Sequence, residues 1–440
     1  MASNYTTLDP IFKQRYAEGI EDLTYVDRPL YALWPKKTDI AGASSTTRAY
    51  HVPLKYANTA AVSGLFSQAQ TRSTNTSSLV VAWEIYTMHQ YGFINLDMES
   101  LLRSEGRENA FVDEKGLEMD AMIENIANRL HHFSYLDGTG SLANVGNATQ
   151  MPSFATSVMV LNLPSTAVYF MPGDELTASL TNSGGTPRAL GSNNHGWYVI
   201  GTNIDAGTFT VGTLAGVAVN LNDAADGIPT ATNGDFIQHR GDVQVAGTLG
   251  GTVITGFQGY IPSTANVAQL ATSLYGVNRN LMPDFLAGTR FDGSSMGIEE
   301  AIMRGTNQVA FKGGTIKQVF LNHKKFSDLV SAISARGMVN FLEISPSEYP
   351  EIGFEGVKVI GAKGSVDVIP DYACPTTLGA GMDIEDWEFA SVGEPIRIMN
   401  GDGLEFLRLA GADGIQAYWA SYANCVPKIP RNNLNLTLAA

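Results

Sequence analysis

The longest apolar pattern in the chain lies between residues 108 and 142. Its apolar positions recur at spacings of three, four and seven residues and are Val112, Met119, Met122, Ile123, Ile126, Leu130 and Phe133. This stripe predicts one amphipathic helix, which over residues 111–136 would be about 40 Å long at a rise of 1.5 Å per residue. The run Asp137-Gly-Thr-Gly140 follows, and glycine supplies the left-handed conformation that ends a helix. We expect a long helix across which other elements are laid.

Two strand-like stretches precede this helix and predict a long hairpin over residues 47–98. Residues 47–56 alternate like a strand, and residues 79–98 are rich in β-branched and aromatic side chains. The loop between them, residues 57–78, is small and polar, and its only large apolar side chains are Leu65 and Phe66. A loop of this length without periodicity is typical of functional or mobile segments, with a disordered surface loop as the alternative.

Residues 1–46 have the character of an arm. Asp9 and Pro10 are suited to the cap and first position of a short helix, and Pro29 and Pro35 then break regularity. The local chain is too short to bury the aromatic side chains of this segment, so we expect them to pack elsewhere in the subunit or on a neighbour. The candidates for contact with a neighbouring subunit are Phe12, Tyr16, Tyr31 and Trp34.

After the long helix the chain changes character twice. Residues 154–255 contain short β-like runs separated by turn clusters, with Arg188 and Arg240 as their only basic residues. This rhythm predicts a small all-β barrel or sandwich inserted into a parent fold. From residue 256 to residue 440, predicted strands and helices mix without strict alternation. An α+β fold is therefore favoured over a doubly wound sheet.

Composition excludes several classes of protein. The net charge of −15 argues against a basic groove for nucleic acid, although it permits a container that holds nucleic acid without gripping it. Charged residues make up only 16% of the chain, which indicates extensive buried interfaces. The most apolar stretch is interrupted by Asn162 and Pro164, so no membrane span is predicted. Cys374 and Cys425 are expected to be buried and reduced.

Candidate chemistry is sparse. Ser295 lies in a G-x-S-x-G sequence, but His323 is the only later histidine and leaves little room for a strand carrying the acid. Capping of the following helix by Ser294 or Ser295 is the favoured interpretation. His131 and His132 are adjacent on a helix without ligand spacing around them, which favours core or interface positions over a metal site. We predict no enzyme activity and no cofactor.

The order of these elements resembles the major capsid proteins of tailed bacteriophages, which have the Hong Kong 97-type fold. The stretches that carry the resemblance are IFKQRYAEGIEDLTYVDRPLYALWPKKTD, AYHVPLKYA, YLDGTGS, GFQGYIP and GIQAYWASYANCVPKIPRNNLNL. The resemblance implies an N-terminal arm (1–46), an extended loop (47–98), a peripheral domain with a spine helix (99–153), an inserted β domain (154–255), and an axial domain with the remainder of the peripheral domain (256–440).

The resemblance also implies a function. Such a subunit assembles as hexamers and pentamers into an icosahedral head in the cytoplasm of a bacterial host, and the head contains double-stranded DNA without reading its sequence. Portal and scaffolding proteins are the implied partners, and no membrane or cofactor is involved. One member of the family crosslinks its shell through a lysine in the extended loop, but residues 57–78 contain no lysine, so that chemistry is not carried over.

The same sequence gives one expected contact between subunits and two alternative functions. Within the capsid interpretation, Leu65, Phe66 and Arg72 in the loop tip are expected to contact a neighbouring subunit, with Arg72 facing an acidic partner such as a spine helix. The alternatives to a capsid are the shell of a cellular nanocompartment, which shares the fold, and a serine hydrolase that would use Ser295.

Overall fold

A computed structural model describes residues 28–40, 49–99, 114–242, 252–335, 357–400, 406–408 and 413–439. In these residues the helices are α1 (Pro29–Leu33), α2 (Phe66–Asn75), α3 (Glu114–Tyr135), α4 (Phe257–Tyr260), α5 (Pro283–Leu286), α6 (Ile298–Phe311) and α7 (His323–Ala335). Short 3-10 turns lie at Pro164–Tyr169, Thr264–Ala271, Arg279–Leu281, Ile384–Asp386 and Pro430–Asn432. None of the described helices is long and apolar enough to cross a membrane.

The strands of the described residues are, in chain order, β1 (Lys36–Lys37), β2 (Ala49–Ala57), β3 (Leu79–Tyr86), β4 (Met88–Asp97), β5 (Ser141–Asn144), β6 (Val158–Val160), β7 (Glu175–Ser179), β8 (Trp197–Asn203), β9 (Thr208–Gly212), β10 (Phe236–His239), β11 (Thr289–Asp292), β12 (Gln318–Leu321), β13 (Val357–Gly361), β14 (Gly364–Pro370), β15 (Leu378–Met382), β16 (Trp387–Ser391), β17 (Arg397–Ile398), β18 (Leu407–Arg408), β19 (Gly414–Pro427) and β20 (Leu434–Thr437). Helices and strands mix without strict alternation, as the α+β prediction requires.

The described residues form two compact units. The smaller unit contains residues 91–99, 114–127, 396–400, 406–408 and 413–420, and the larger unit contains the other described residues. In the smaller unit, β17 and β18 pair antiparallel with the first part of β19, and β4 also pairs with β19. The side chains of β4 are alternately buried and exposed, so one face of that strand is covered and the other is open.

The predicted long helix is confirmed as α3, which is described over 22 residues and is about 33 Å long. Its C-terminal part supplies buried side chains to the larger unit, among them Leu130, Phe133 and Tyr135. The helix ends where the sequence predicted. Gly138 has φ +81°, and a Cβ at that position would lie 2.9 Å from the backbone of Thr255. Only glycine combines this conformation with so close an approach.

Residues 141–239 of the larger unit form a six-stranded antiparallel sheet in the order β5-β10-β7-β8-β9-β6. Its two edge strands meet at their ends, because Val145 and Leu161 form an antiparallel bridge and Gly146 N–H donates to the Val160 carbonyl at 2.9 Å. Trp197 is fully buried and its indole N–H donates to the Leu221 carbonyl. Because β5 belongs to this sheet, a domain boundary at residue 154 would cut the sheet.

A second six-stranded sheet of the larger unit has the order β11-β20-β15-β12-β14-β13 and mixes parallel and antiparallel pairs. Helices α6 and α7 pack against it around an aliphatic core that includes Ile302, Leu329, Val368 and Leu434. The mixture of strands and helices predicted for residues 256–440 is confirmed here, where β12, β13 and β14 lie with α6 and α7. Burial of one helix face on one sheet face provides the main stabilisation here.

Candidate interaction surfaces

The predicted hairpin is confirmed for the antiparallel pair of β2 and β3, which in the described residues pair only with each other. The rest of the predicted second strand is wrong, because among the described strands β4 pairs with β19 and not with the hairpin. Its base is fixed to the rest of the larger unit. Trp83 is fully buried and packs edge-on against Tyr260, with ring centroids 5.4 Å apart, and Glu84 N–H donates to the Tyr275 carbonyl at 3.0 Å. At the far end, Leu79 and Val80 are exposed. The hairpin is thus anchored at one end and open at the other.

The tip of the hairpin contains the ten-residue helix α2, which the sequence analysis did not predict. Its sequence, FSQAQTRSTN, has no apolar stripe, so helical periodicity gave no signal. The only sequence feature that favours a helix here is the absence of glycine and proline from Leu65 to Ser78. Side-chain hydroxyls hold the tip together: Thr59 Oγ1 donates to the Thr76 carbonyl at 3.2 Å, and Ser63 Oγ accepts from Leu65 N–H at 3.3 Å.

Three apolar side chains of the tip are exposed to solvent. Phe66 is 84% exposed, Val62 is 78% exposed and Leu65 is 66% exposed. These side chains do not stabilise the single chain by burial, and clustered exposed apolar residues mark interaction surfaces. The prediction that Leu65 and Phe66 contact a second subunit remains a prediction, and their exposure leaves both side chains available for that contact.

Arg72 makes a contact within its own chain. Its Nη1 donates to the Val62 carbonyl at 3.0 Å, which ties α2 to the segment before it. The tip contains no acidic residue between residues 57 and 78. The expected contact of Arg72 with an acidic neighbour stays a prediction, and the structure adds a local role in shaping the tip.

The arm residues separate into two groups. Phe12 and Tyr16 lie outside the described residues. Tyr31 and Trp34 are buried inside the chain itself, and Trp34 stacks on Trp387 with ring centroids 5.3 Å apart and planes 6° from parallel. Tyr31 packs edge-on against Phe389. Of the two placements that the sequence left open, these two residues take the one within the subunit, and Trp34 has almost no exposed surface left for a neighbour.

His131 and His132 are buried in the core below α3, as expected. His131 Nε2 lies 3.0 Å from Asp371 Oδ1, and Tyr135 donates its hydroxyl to the other oxygen of that carboxylate at 2.6 Å. Burial lowers the pKa of His132 well below its usual value, and the neighbouring His131 lowers it further. In the part of the chain that the structure describes, no group of three or more His, Cys, Asp or Glu side chains is arranged to hold a metal ion.

Ser295 lies in an exposed turn between β11 and α6, the strand–turn–helix context that its motif requires. No hydrogen bond of the described residues joins it to a histidine. The prediction that Ser294 or Ser295 caps the helix is wrong, because the cap position is Gly297 and no side chain caps there. The Asp292 carboxylate instead accepts from Ser294 N–H, and this hydrogen bond lies in the turn before α6.

Both cysteines are buried and unbridged, as the sequence predicted. Burial raises the pKa of both thiols well above the usual value, so they are held in the protonated form that makes a weak nucleophile.

No family model matches this sequence. No curated protein matches it either. Among solved structures, the capsid asymmetric unit of cyanophage A-1(L) matches with a TM-score of 0.51 and 9% identity, covering 97% of this chain and 96% of that one. Gordonia phage Cozz matches with a TM-score of 0.46 and 10% identity over 98% and 92% of the two chains. An encapsulin complex of Synechococcus elongatus matches with a TM-score of 0.43 and 8% identity over 99% and 96%.

The match to the cyanophage capsid subunit extends over nearly the full length of both chains. The chain therefore has the Hong Kong 97-type fold, a mixed α and β architecture used by shell-forming proteins. The predicted resemblance is confirmed at the level of the fold.

Proposed function

We propose that this chain is the major capsid protein of a tailed bacteriophage, which assembles as hexamers and pentamers into an icosahedral head that encloses double-stranded DNA. The observation that carries the proposal is the full-length capsid fold combined with an anchored hairpin whose tip exposes Val62, Leu65 and Phe66. The exposed apolar side chains of the tip do not stabilise a single subunit, whereas contact with a second copy buries them. An acidic chain of net charge −15 suits a wall that contains DNA without binding it tightly.

The elements take the following roles in this proposal. Residues 1–46 are the arm, β2 and β3 with α2 form the extended loop, and α3 is the spine of the peripheral domain. The mixed sheet with α6 and α7 forms the axial domain. The antiparallel sheet is an inserted β domain, and we assign it residues 141–242 in place of 154–255, because β5 hydrogen-bonds to β10.

The assembly has further partners. The proposed head forms in the bacterial cytoplasm with a portal protein at one vertex, and a separate scaffolding protein directs its size. DNA enters afterwards and is held by containment. The surface expected to meet other copies is the loop tip with Leu65, Phe66 and Arg72, together with the arm residues Phe12 and Tyr16.

Electron microscopy of the purified recombinant chain tests the proposal. We expect hexamers, pentamers, tubes or closed shells, and we expect the Ser295→Ala variant to form the same particles. A strictly monomeric protein at high concentration refutes the proposal, and so does a hydrolytic activity that Ser295→Ala abolishes. Shells of purified native material that contain an enzyme and no DNA would assign the chain to a nanocompartment.

A further inference from the structure

A groove of about 600 Å³ lies at the base of the extended loop, within the larger unit. One wall is the end of β2, another is α5, and the third is the segment that follows β19. The residues that line it are Pro53, Leu54, Lys55, Tyr56, Ala57, Asn58, Met282, Phe285, Leu286, Lys428, Ile429, Pro430 and Arg431.

The charge of this groove is opposite to that of the whole chain. Lys55, Lys428 and Arg431 are among its lining residues, and none of the lining residues is acidic. Lys55 and Lys428 are exposed, and neither makes an ion pair within the described residues. The guanidinium of Arg431 lies over the ring of Phe285, 5.3 Å from its centroid, so it is held in place without a carboxylate. Unpaired cations on a protein of net charge −15 are available to an anionic partner.

Two carboxylates interact electrostatically with Lys428, and each has a hydrogen-bond partner elsewhere. Glu385 accepts from Lys317 Nζ at 2.7 Å, and Asp386 accepts from Asn432 Nδ2 at 2.6 Å. Neither residue lines the groove. The cations of the groove therefore keep their capacity for a partner from outside.

The remaining walls are apolar, which restricts the class of ligand. Ile429 is 40% exposed, and Met282 and Phe285 are partly exposed. A nucleic acid backbone would neutralise the lysines but leave these side chains in water, and a duplex is too wide for a groove of this volume. A protein surface that combines carboxylates with an aliphatic side chain satisfies both parts of the groove.

The first half of α3 presents such a surface in the described residues. Glu118, Asp120 and Glu124 lie within seven residues, and no Lys or Arg lies among them. Glu118 and Asp120 are exposed, and Leu117 beside them is 43% exposed. At about 100° per residue, Asp120 lies about 60° to one side of Leu117 and Glu118 about 100° to the other, so this aliphatic side chain lies between two exposed carboxylates.

We infer that the groove formed by Lys55, Lys428, Arg431 and Ile429 binds the acidic first half of α3, centred on Leu117 and Asp120, of a second copy of this chain. This inference rests on the proposed shell-forming function and names a specific contact within it. The lysines pair with Glu118 and Asp120, and Leu117 covers Ile429 and Phe285. A contact at the loop base complements the apolar contact proposed for the loop tip.

A charge exchange tests the contact in the full-length protein. Lys55→Glu with Lys428→Glu should weaken assembly at least about tenfold, because like charges then face each other across the contact. Glu118→Lys with Asp120→Lys should weaken it similarly. Combining all four substitutions in one chain restores opposite charges in every contact, so assembly measured by light scattering should return close to that of the parent.

Two controls make the outcome specific. Lys324→Glu with Asp205→Lys exchanges exposed charges outside the groove and the helix, and it should leave assembly unchanged. Circular dichroism of the unassembled variants verifies that each one folds. If the parent assembles and the fourfold variant is no better than the pairs, the inference is wrong while the shell function stands. If the parent itself never assembles, the proposed function fails.

A disulfide test is independent of charge. In the variant with Lys428→Cys and Asp120→Cys, oxidation of assembled particles should produce dimers and higher multimers on a non-reducing gel. The native cysteines do not interfere, because Cys374 and Cys425 are both buried. Absence of multimers, or a bridge formed within one chain, overturns the assignment of the groove to α3 of a second copy.

Discussion

The tip of the extended loop offers the sharpest test of the shell interpretation. Replacing Leu65 and Phe66 by serine removes two apolar side chains that are 66% and 84% exposed in the single chain. Substitutions at such exposed positions change the stability of a subunit by no more than about 0.5 kcal/mol. The double variant should therefore fold like the parent, and any large effect must arise from contacts between copies.

The magnitude follows from the surface that a neighbour would cover. Complete burial of a Leu or Phe side chain contributes about 1.5–3 kcal/mol, so covering the exposed part of both gives about 2–5 kcal/mol per contact. A change of 1.4 kcal/mol corresponds to a tenfold change in an equilibrium constant, so each contact should weaken by about 30-fold or more. Every subunit of a shell repeats the contact, which amplifies the loss of shell stability.

Arg72→Ala should have a smaller effect. An ion pair at the rim of a contact contributes about 0–1 kcal/mol and is screened by salt. The structure adds the loss of the Arg72 hydrogen bond to the Val62 carbonyl, which would loosen the tip by about 0.5–1.5 kcal/mol whether or not a neighbour is present. We expect a modest fall in shell stability, and only the part that arises from an ion pair should disappear at high salt.

Light scattering during heating measures shell stability for the parent and the variants. The matched control is Leu214→Ser with Val217→Ser, because these side chains are 78% and 62% exposed on a turn of the antiparallel sheet, away from the tip. The control should behave like the parent. Equal shell stability of the Leu65 and Phe66 double variant and the parent would refute the reasoning and make the tip a surface feature without a partner.

Three other predictions concern the arm, Asp242 and the antiparallel sheet. Trp34→Ala should lower the free energy of unfolding of the unassembled subunit by about 3–5 kcal/mol, because it removes the ring stacked on Trp387. Phe12→Ser with Tyr16→Ser should weaken assembly alone. Thermal unfolding of the subunit distinguishes the two results. Burial raises the pKa of Asp242 to about 6, above its unfolded value, so its contribution to stability falls as pH rises from about 4 to 6; Asp242→Asn should raise the unfolding temperature at pH 7 and change that slope. Amide exchange should show β8 and β9 opening independently of α3, and joint opening would argue against a separate inserted domain.

Local patterns predicted much of this fold, and long-range contacts account for what they missed. The apolar stripe predicted α3, and alternation predicted the hairpin, because each signal lies within one short stretch of chain. The placement of Trp34 depends on Trp387, more than 350 residues away, and no local pattern identifies that partner. The same holds for His131, whose buried partner is Asp371.

The candidate surfaces divide in the same way. Leu65 and Phe66 were found because they are the only large apolar residues in a polar loop. The helix that carries Phe66 was not predicted, because its sequence has no apolar stripe at helical spacing. The groove at the loop base was not predictable, because Lys55 and Lys428 come together only when the end of β2 lies beside the segment after β19.

The separation between the core and the hairpin is what makes the surface hypotheses testable. The hairpin strands pair with each other, and the base of the hairpin is fixed by Trp83 against Tyr260. The cores of the larger unit, around Trp197 and around Leu434, use side chains from other parts of the chain. A substitution at the tip therefore leaves these buried contacts intact. A loss of shell stability without a loss of subunit stability would therefore identify the exposed apolar tip as a contact between copies.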